Sequence, residues 1–293
     1  QVLINVQASG VNFMDVGRRR GVTSDQLPWI PGGEAAGIVA AIGENVTEVA
    51  VGDLVGSSSA ISGYAEQALA PAARTIKLPE GTDARTGAAA LLQGMTAHYL
   101  GHTAYPLKPG DKALVHAGAG GVGLLLIQMA KMLGAYVYAT VSTEEKAALA
   151  RSVGADKVIL YSRQDFAEAI NNDTAGEGIQ VVYDSVGQDT FAQGIKCLGR
   201  LGHLVLYGGS SGPVPPVDLG ILSPNSLTVT RASLPNYTAT RDLLLQRAND
   251  VLSWIASGHL KLHIHKAYPL ADAAEAHREL EGRQTVGKLL LIP

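Results

Sequence analysis

A glycine-rich turn between an apolar strand and an apolar helix constrains the fold of this chain more than any other feature. The segment KALVHAGAGGVGLLLIQMAKMLGA carries Gly118, Gly120 and Gly123 in G-x-G-x-x-G spacing. The first glycine permits a tight turn, the second lets the backbone approach a pyrophosphate, and the third lets the helix pack closely on the strand. Gly121 and Val122 open the helix, whose N-terminal amides favour an anion. The turn therefore predicts a dinucleotide-binding unit.

The segments that follow this turn repeat a pattern of strand, turn and helix. The apolar runs YVYATV, KVILY, QVVYDSV and HLVLYGG alternate with helical segments such as TEEKAALARSVGA. Alternation of this kind predicts a parallel sheet covered by helices on both faces. Before residue 94 the chain instead carries short β-like runs punctuated by glycine, which predict a compact β-rich domain.

The length of the chain and these two patterns predict two domains. A chain of 293 residues is long for one core. We expect residues 1–94 to form the β-rich domain, residues 95–232 the dinucleotide-binding domain, and residues 233–293 a helix and a return to the first domain. The return is expected because a lone hairpin and helix would lack a core of their own. The chain begins at Gln1 inside a strand, so we expect the natural start to precede it.

Composition excludes several classes of partner. A net charge of -3 with 17% charged residues indicates neither a nucleic-acid surface nor an acidic tail. The most apolar stretch, residues 121–141, is interrupted by polar residues and glycine, which argues against a membrane span. The single cysteine, Cys197, excludes an internal disulfide and a thiolate zinc cluster, and favours the cytoplasm. His263 and His265 would share one face of a strand but lack a third ligand, so we expect no metal.

The residue that ends the second strand of the dinucleotide unit bears on the choice of cofactor. An acid there would bind the ribose 2′-hydroxyl of NAD, and it would repel a 2′-phosphate by about 4 kcal/mol at about 4 Å in an effective dielectric of about 20. Here the position is Ser142, and Lys146 follows one helical turn later as a candidate phosphate contact. Ser142 or Thr143 is also a candidate helix cap, and Lys146 is alternatively a residue of an exposed helix face. We therefore predict NADPH.

Motifs along nearly the whole chain resemble one family. HAGAGGVG, VVYDSVG, LVLYGGSSGPV, VTRASL and GKLLLIP, with GVNFMD and PGGEAAGIV near the start, are similar to the zinc-independent quinone oxidoreductases related to zeta-crystallin, in the medium-chain dehydrogenase/reductase superfamily. The resemblance implies an α/β fold with a Rossmann doubly wound parallel sheet domain inserted in a β-rich GroES-like catalytic domain. It implies NADPH in the cleft, a homodimer formed through the cofactor domains, and hydride transfer to a quinone or enone.

The resemblance also implies roles for individual residues. Asn12 and Arg231 would lie near the nicotinamide and stabilise negative charge on the acceptor oxygen, and Asn12 would approach the nicotinamide ribose or the substrate. Tyr64 would form an aromatic wall or donate a proton, with solvent as the other proton source. The implied cofactor contacts are Asn12, Thr96, Gly118, Gly120, Gly121, Val122, Gly123, Ser142, Lys146, Tyr161, Ser185, Gly208, Gly209, Ser210 and Arg283. By themselves, an asparagine in this context is a turn residue and an isolated arginine a solvated one.

One segment departs from the family pattern. Gly17 and Thr23 stand where family members often carry tyrosines, which predicts a wider and more polar pocket. The intervening Arg18, Arg19 and Arg20 either attract an acidic substrate or form a solvated basic loop. Alternative functions are an enone or enoyl-thioester reductase and an NADPH-binding protein with a structural or regulatory role, because the fold does not decide between them.

Overall fold

The computed structural model describes residues 1–22 and 27–293. Within them the chain forms two compact units. Unit 1 comprises Gln1–Met95 and Thr238–Pro293, and unit 2 comprises Thr96–Tyr237. The first division falls inside a helix, Ala84–Tyr99.

The secondary structure follows the predicted order of strands and helices. The strands are β1 (Val2–Val11), β2 (Ala35–Ile42), β3 (Leu54–Ser57), β4 (Gln67–Ala70), β5 (Ile76–Lys77), β6 (Lys112–Val115), β7 (Tyr136–Val141), β8 (Lys157–Leu160), β9 (Ile179–Asp184), β10 (Leu198–Leu206), β11 (Thr228–Arg231), β12 (Ile264–Pro269) and β13 (Lys288–Ile292). The helices are α1 (Phe13–Arg19), α2 (Ala84–Tyr99), α3 (Gly121–Met132), α4 (Glu144–Ser152), α5 (Phe166–Asp173), α6 (Phe191–Lys196), α7 (Leu234–Tyr237), α8 (Arg241–Ala256) and α9 (Ala273–Glu281).

Unit 2 is built on a six-stranded parallel sheet in the order β11-β10-β9-β6-β7-β8. The chain winds outward from β6 through β7 to β8 and then returns to β9 on the other side of β6. The strand order therefore reverses between β6 and β9, which is where open α/β sheets bind ligands. The middle strands are mostly buried, as in β9, where five of six residues are buried, and this is typical of a parallel sheet covered on both faces.

Unit 1 is built on a seven-stranded sheet in the order β12-β13-β1-β2-β3-β5, with β4 also paired to β1. The ten-residue β1 is the centre of this sheet, and it pairs antiparallel with β2, β4 and β13. The pairing of β1 with β13 joins the two ends of the chain in one sheet. The predicted architecture, a doubly wound parallel sheet inserted in the chain of a β-rich unit, is confirmed.

The structure bears on two further sequence-based expectations, one about His263 and His265 and one about membrane spans. β12 begins at Ile264, so His263 precedes the strand on which it was predicted to alternate with His265. No helix within residues 1–22 and 27–293 is both long enough and apolar enough to cross a membrane.

Candidate cofactor and active-site residues

The predicted glycine turn forms a tight connection between β6 and α3 in unit 2. The amide of Gly118 donates to the carbonyl of Thr140 at 3.0 Å. A Cβ atom on Gly118 would lie 2.8 Å from Ala139 Cβ, and one on Gly123 would lie 2.3 Å from the carbonyl oxygen of Ala117. Neither position has room for a side chain, whereas the amides of the first turn of α3 have no acceptor within the helix. The turn therefore fits a pyrophosphate.

The residues predicted to read the 2′-phosphate meet at the end of β7. Thr143 rather than Ser142 caps α4, because its Oγ1 accepts the amide of Lys146 at 3.3 Å. The carbonyl of Ser142 accepts the hydroxyl of Ser162 at 3.0 Å, which ties this end to the segment after β8. Tyr161 begins that segment, and its side chain is exposed. The structure brings Ser142, Lys146 and Tyr161 to the carboxyl edge of one sheet.

Two charged side chains at the carboxyl edge of the sheet, those of Lys146 and Glu144, are affected by their surroundings. Burial lowers the pKa of Lys146, because desolvation disfavours the ammonium form. Glu144, the first residue of α4, is exposed, and its Oε1 accepts from Arg163 Nη1 at 2.9 Å. Arg163 thus adds a second cation near the end of β7, which no local sequence pattern indicated.

A second group of predicted contacts meets at the ends of β9 and β10. The amide of Ser210 donates to the carbonyl of Ser185 at 3.1 Å. A Cβ atom on Gly208 would lie 2.4 Å from the same carbonyl oxygen, so only glycine fits there. Gly209, which lies between Gly208 and Ser210 in the chain, is exposed. These residues follow β9 and β10 at the carboxyl edge of the sheet, and β9 is one of the two strands between which the strand order reverses, as expected for a cofactor loop.

The remaining predicted contacts are spread over both units. Thr96 is buried within α2, at the first position of unit 2. Arg231 ends β11, is exposed, and donates from Nη1 to the carbonyl of Leu206 at 3.2 Å. Arg283 belongs to unit 1, where it is exposed just after α9 with a left-handed φ of 56°. The roles of these three residues stay predictions.

Asn12 lies within unit 1 at the start of α1, where its side-chain amide is surrounded by partners. Nδ2 donates to the carbonyl of Gly10 and to Glu34 Oε2, each at 3.1 Å, and Oδ1 accepts from Lys288 Nζ at 2.7 Å. The backbone amide of Asn12 donates to Asp15 Oδ2 at 3.0 Å. Both hydrogens of the side-chain amide are therefore used. The expectation that Asn12 donates to an acceptor oxygen does not fit this geometry.

Tyr64 also makes its contacts inside unit 1. Its hydroxyl donates to Asp15 Oδ2 at 3.1 Å and lies 3.1 Å from His277 Nε2. The side chain is 8% exposed, and burial, together with the Asp15 carboxylate, raises the pKa of Tyr64 well above its ordinary value. A phenol held in this way retains its proton near neutral pH. Of the two predicted proton sources, the geometry favours solvent.

The chain matches known dehydrogenase families along most of its length. Residues 1–104 match the alcohol dehydrogenase GroES-like domain, and residues 121–253 match the zinc-binding dehydrogenase family. Quinone oxidoreductase 1 of Escherichia coli strain K12 is 42% identical over 298 residues, which cover 100% of this chain and 91% of that relative. The chain belongs to the quinone oxidoreductase family of the medium-chain dehydrogenase/reductase superfamily.

Two further relatives are similar to this chain over its whole length. A 2-haloacrylate reductase from a Burkholderia species is 39% identical over 304 residues, covering 100% of this chain and 91% of that relative. A mycobacterial protein solved as a complex with NADPH is 45% identical with a TM-score of 0.97, over 100% of this chain and 91% of that chain. The family identification from sequence motifs is confirmed by these matches.

The name of the matched zinc-binding family raises the question of a metal site in this quinone oxidoreductase. In the part of the chain that the structure describes, no three His, Cys, Asp or Glu side chains are grouped to hold a metal ion. His265 Nε2 instead lies 3.0 Å from Glu279 Oε1. Burial raises the pKa of Cys197 to about 12, so that its thiol keeps the proton that a zinc ligand must lose. The donor set of the described residues does not fit structural or catalytic zinc.

The predicted solvated basic loop is wrong in its secondary structure, because Gly17, Arg18 and Arg19 belong to α1. Arg19 Nη2 donates to both carboxylate oxygens of Glu281, at 2.7 and 2.8 Å, and Arg20 Nη2 lies 2.5 Å from Glu281 Oε1. Arg18 stacks over the ring of Trp29 at 4.6 Å. Each of the three arginines thus has a partner, which the local sequence did not predict because Glu281 lies far along the chain. Thr23 lies outside the described residues.

Two buried charged residues beside Asn12 were not predicted from the sequence. Glu34 and Lys288 are both buried beside Asn12. Each stands alone among small or apolar residues, in PGGEAAGIV and GKLLLIP. A charged residue in an apolar segment is almost never buried unpaired, so the acid just before β2 and the base that begins β13 were a signal that they form a pair.

Proposed function

We propose that this quinone oxidoreductase family member binds NADPH and uses it to reduce a quinone or a related conjugated carbonyl. The observation that carries the proposal is the glycine cradle of residues 118–123, together with an uncharged Ser142 beside Lys146 at the end of β7. When bound, NADPH supplies the hydride from its nicotinamide ring. Its presence in the solved mycobacterial relative supports the same cofactor here.

The protein's own residues would bind and orient the cofactor rather than take part in covalent steps. Residues 118–123 and the amides of α3 would hold the pyrophosphate, and Lys146 would contact the 2′-phosphate. Asn12 would accept a hydrogen bond, since its donors are occupied. Arg231 remains the proposed cation near the developing negative charge on the acceptor oxygen. Solvent would supply the proton.

A screen of NADPH oxidation over several acceptors tests the proposal. The purified protein is assayed with ortho- and para-quinones, simple enones and an enoyl thioester, with NADH in parallel. We expect measurable quinone reduction with NADPH and little oxidation of alcohols by NADP, because the described residues hold no grouped metal ligands that could help an alcohol lose its proton. Robust alcohol oxidation, or tight NADPH binding without turnover of any acceptor, would contradict the proposal.

Reduction of a conjugated acid is the second candidate function. The observation in its favour is the 39% identity to the Burkholderia 2-haloacrylate reductase. A carboxylate substrate needs a free cation, and Arg19 and Arg20 are already paired with Glu281. We therefore place quinones first and include 2-chloroacrylate in the same screen, where faster turnover of the acid would reverse the order.

Three further properties complete the proposal. We propose metal independence, supported by the buried Cys197 thiol and the donor set described above. We propose a homodimer formed through unit 2, supported by β11, which pairs only with β10 in the described sheet and so leaves one edge open. Light scattering after size exclusion tests the dimer. The cytoplasmic location stays a prediction.

A further inference from the structure

A buried ion pair lies against Asn12 in unit 1. Lys288 is 2% exposed and Glu34 is fully buried. Lys288 Nζ donates to Glu34 Oε2 at 2.6 Å and to Asn12 Oδ1 at 2.7 Å. The second carboxylate oxygen, Glu34 Oε1, accepts the amide of Leu92 at 2.7 Å. Buried charges are tolerated only when their partners are held in good geometry, so this arrangement fixes the positions of all three side chains.

The neighbours of Asn12 also fix the direction of its amide. An ammonium group only donates hydrogen bonds, whereas a carboxylate and a backbone carbonyl only accept them. Oδ1 must therefore face Lys288, and Nδ2 must face Glu34 and Gly10. A ligand can therefore use only the remaining lone pair of Oδ1, because both hydrogens of Nδ2 are already donated. A ligand that meets the Asn12 side chain must bring a hydrogen-bond donor.

The absence of a side chain on Gly10 makes room for the buried ion pair of Lys288 and Glu34. A Cβ atom at this position would lie 2.3 Å from Glu34 Oε2 and 2.8 Å from Lys288 Cε. Contacts this short do not occur between real atoms, so any side chain on Gly10 would displace the pair. Only glycine at this position of β1 leaves room for the ion pair of Lys288 and Glu34.

We infer that Lys288 is a positioning residue: through its ion pair with Glu34 it holds Asn12 as the acceptor for a hydroxyl group of the nicotinamide ribose. The inference rests on the proposed NADPH-dependent function. A ribose hydroxyl can donate to Oδ1, whereas a quinone oxygen and the anion formed on its reduction are acceptors and cannot use it. Lys288 acts through Asn12 and orients the nicotinamide half of the cofactor.

A binding experiment separates this role from a merely structural one. The double variant Lys288→Met, Glu34→Gln removes both buried charges together, and Lys77→Met, Asp53→Asn removes an exposed ion pair of the same unit as a matched control. Affinities are measured by calorimetry for NADPH and for adenosine 2′,5′-bisphosphate, which lacks the nicotinamide ribose. We expect the buried double variant to bind NADPH about three- to tenfold more weakly, and the bisphosphate as the parent does. Equal weakening of both ligands, or unchanged NADPH affinity, would overturn the inference.

A double-mutant cycle tests whether Lys288 acts through Asn12. Asn12→Ala alone should weaken NADPH binding about three- to tenfold. Added to the Lys288→Met, Glu34→Gln background, the same substitution should have little further effect, because the amide is no longer oriented. Additive losses would show that the two residues act independently and would contradict the inference.

A measurement on the parent protein keeps the inference testable even if the buried double variant does not fold. The Asn12 side-chain amide signals, assigned in a ¹⁵N spectrum by their loss in Asn12→Ala, should exchange slowly with solvent both with and without NADPH. Fast exchange, or release of these hydrogens when NADPH binds, would refute the fixed orientation. A parent protein that binds no NADPH would instead contradict the proposed function, so the two failures are distinguishable.

Discussion

At the scale of single residues, Lys146 should decide how strongly the protein distinguishes NADPH from NADH. The side chain lies just inside the N-terminus of α4, beside Ser142, at the carboxyl edge of the parallel sheet. We expect Lys146→Ala to raise the Michaelis constant for NADPH about three- to tenfold, because a partly exposed charge-assisted contact is lost, and to leave that for NADH nearly unchanged.

The control for this substitution is Lys157→Ala. Lys157 lies in β8 of the same unit, and its ammonium pairs with Asp173 at 2.5 Å. Lys157→Ala should change the Michaelis constants for NADPH and NADH by the same factor. If Lys146→Ala also changed the two constants by the same factor, Lys146 would not contact the 2′-phosphate.

His277 should make the stability of the protein depend on pH. Burial lowers the pKa of His277 below its ordinary value of 6.5, and the charge of Arg19 adds to that effect. The unfolded chain therefore binds the proton more readily, so stability is lost as the pH falls below about 6.5 and is fully present above it. We expect His277→Gln to flatten this dependence by up to about 1.4 kcal/mol per pH unit.

Denaturant unfolding between pH 5 and 7.5 measures the effect of His277→Gln. Other buried histidines, such as His116, shift in the same direction, so the slope of the parent protein contains several contributions. The comparison is therefore between variants. His259→Gln, at an exposed position of the same unit, is the control and should keep the parent slope. A His277→Gln slope equal to that of the parent would contradict the assignment.

At the scale of elements, the joint between β6 and α3 depends on the absence of side chains. A Cβ atom on Gly123 would lie 2.3 Å from the carbonyl oxygen of Ala117, a backbone atom that cannot move without distorting the turn. We expect Gly123→Ala to destabilise unit 2 by about 1–3 kcal/mol and to weaken NADPH binding, since the amides of α3 would be displaced from the pyrophosphate. Thermal unfolding and calorimetry measure the two effects.

Gly101→Ala is the matched control for this element. Gly101 lies in a π-helical turn of the same unit, where a Cβ atom would meet only leucine side chains at 3.6 Å or more. Contacts at that distance are ordinary, so the variant should unfold near the parent temperature and bind NADPH normally. A Gly123→Ala protein as stable as Gly101→Ala would show that the helix can shift away from the turn at little cost.

At the scale of the whole molecule, catalysis should not depend on a metal ion. The Cys197 thiol donates to the carbonyl of Gln193 at 3.3 Å and stays protonated, and hydride transfer to a conjugated acceptor requires no Lewis acid when the cofactor carries the chemistry. We expect quinone reduction to persist at its full rate after prolonged treatment with a chelator. Loss of activity that added zinc restores would contradict this expectation.

The sequence by itself determined the features that rest on neighbouring residues. The spacing of Gly118, Gly120 and Gly123 specifies the turn, because a Cβ atom on Gly118 or Gly123 would lie only 2.8 or 2.3 Å from its nearest neighbour. The alternation of apolar runs and helical segments specifies the parallel sheet, since strands covered on both faces must be apolar throughout. Ser142 could likewise be placed at the end of its strand from the sequence alone.

Only the tertiary structure decided what surrounds Asn12. Lys288 lies 276 residues from Asn12 and 254 from Glu34 along the chain, and they meet because β13 pairs with β1. Local patterns do not show which distant strands pair, and the resemblance placed Asn12 near the nicotinamide ribose or the substrate. The hydrogen bonds of Asn12 favour the role of acceptor, because a buried ammonium and a buried carboxylate leave the amide only one direction in which to point.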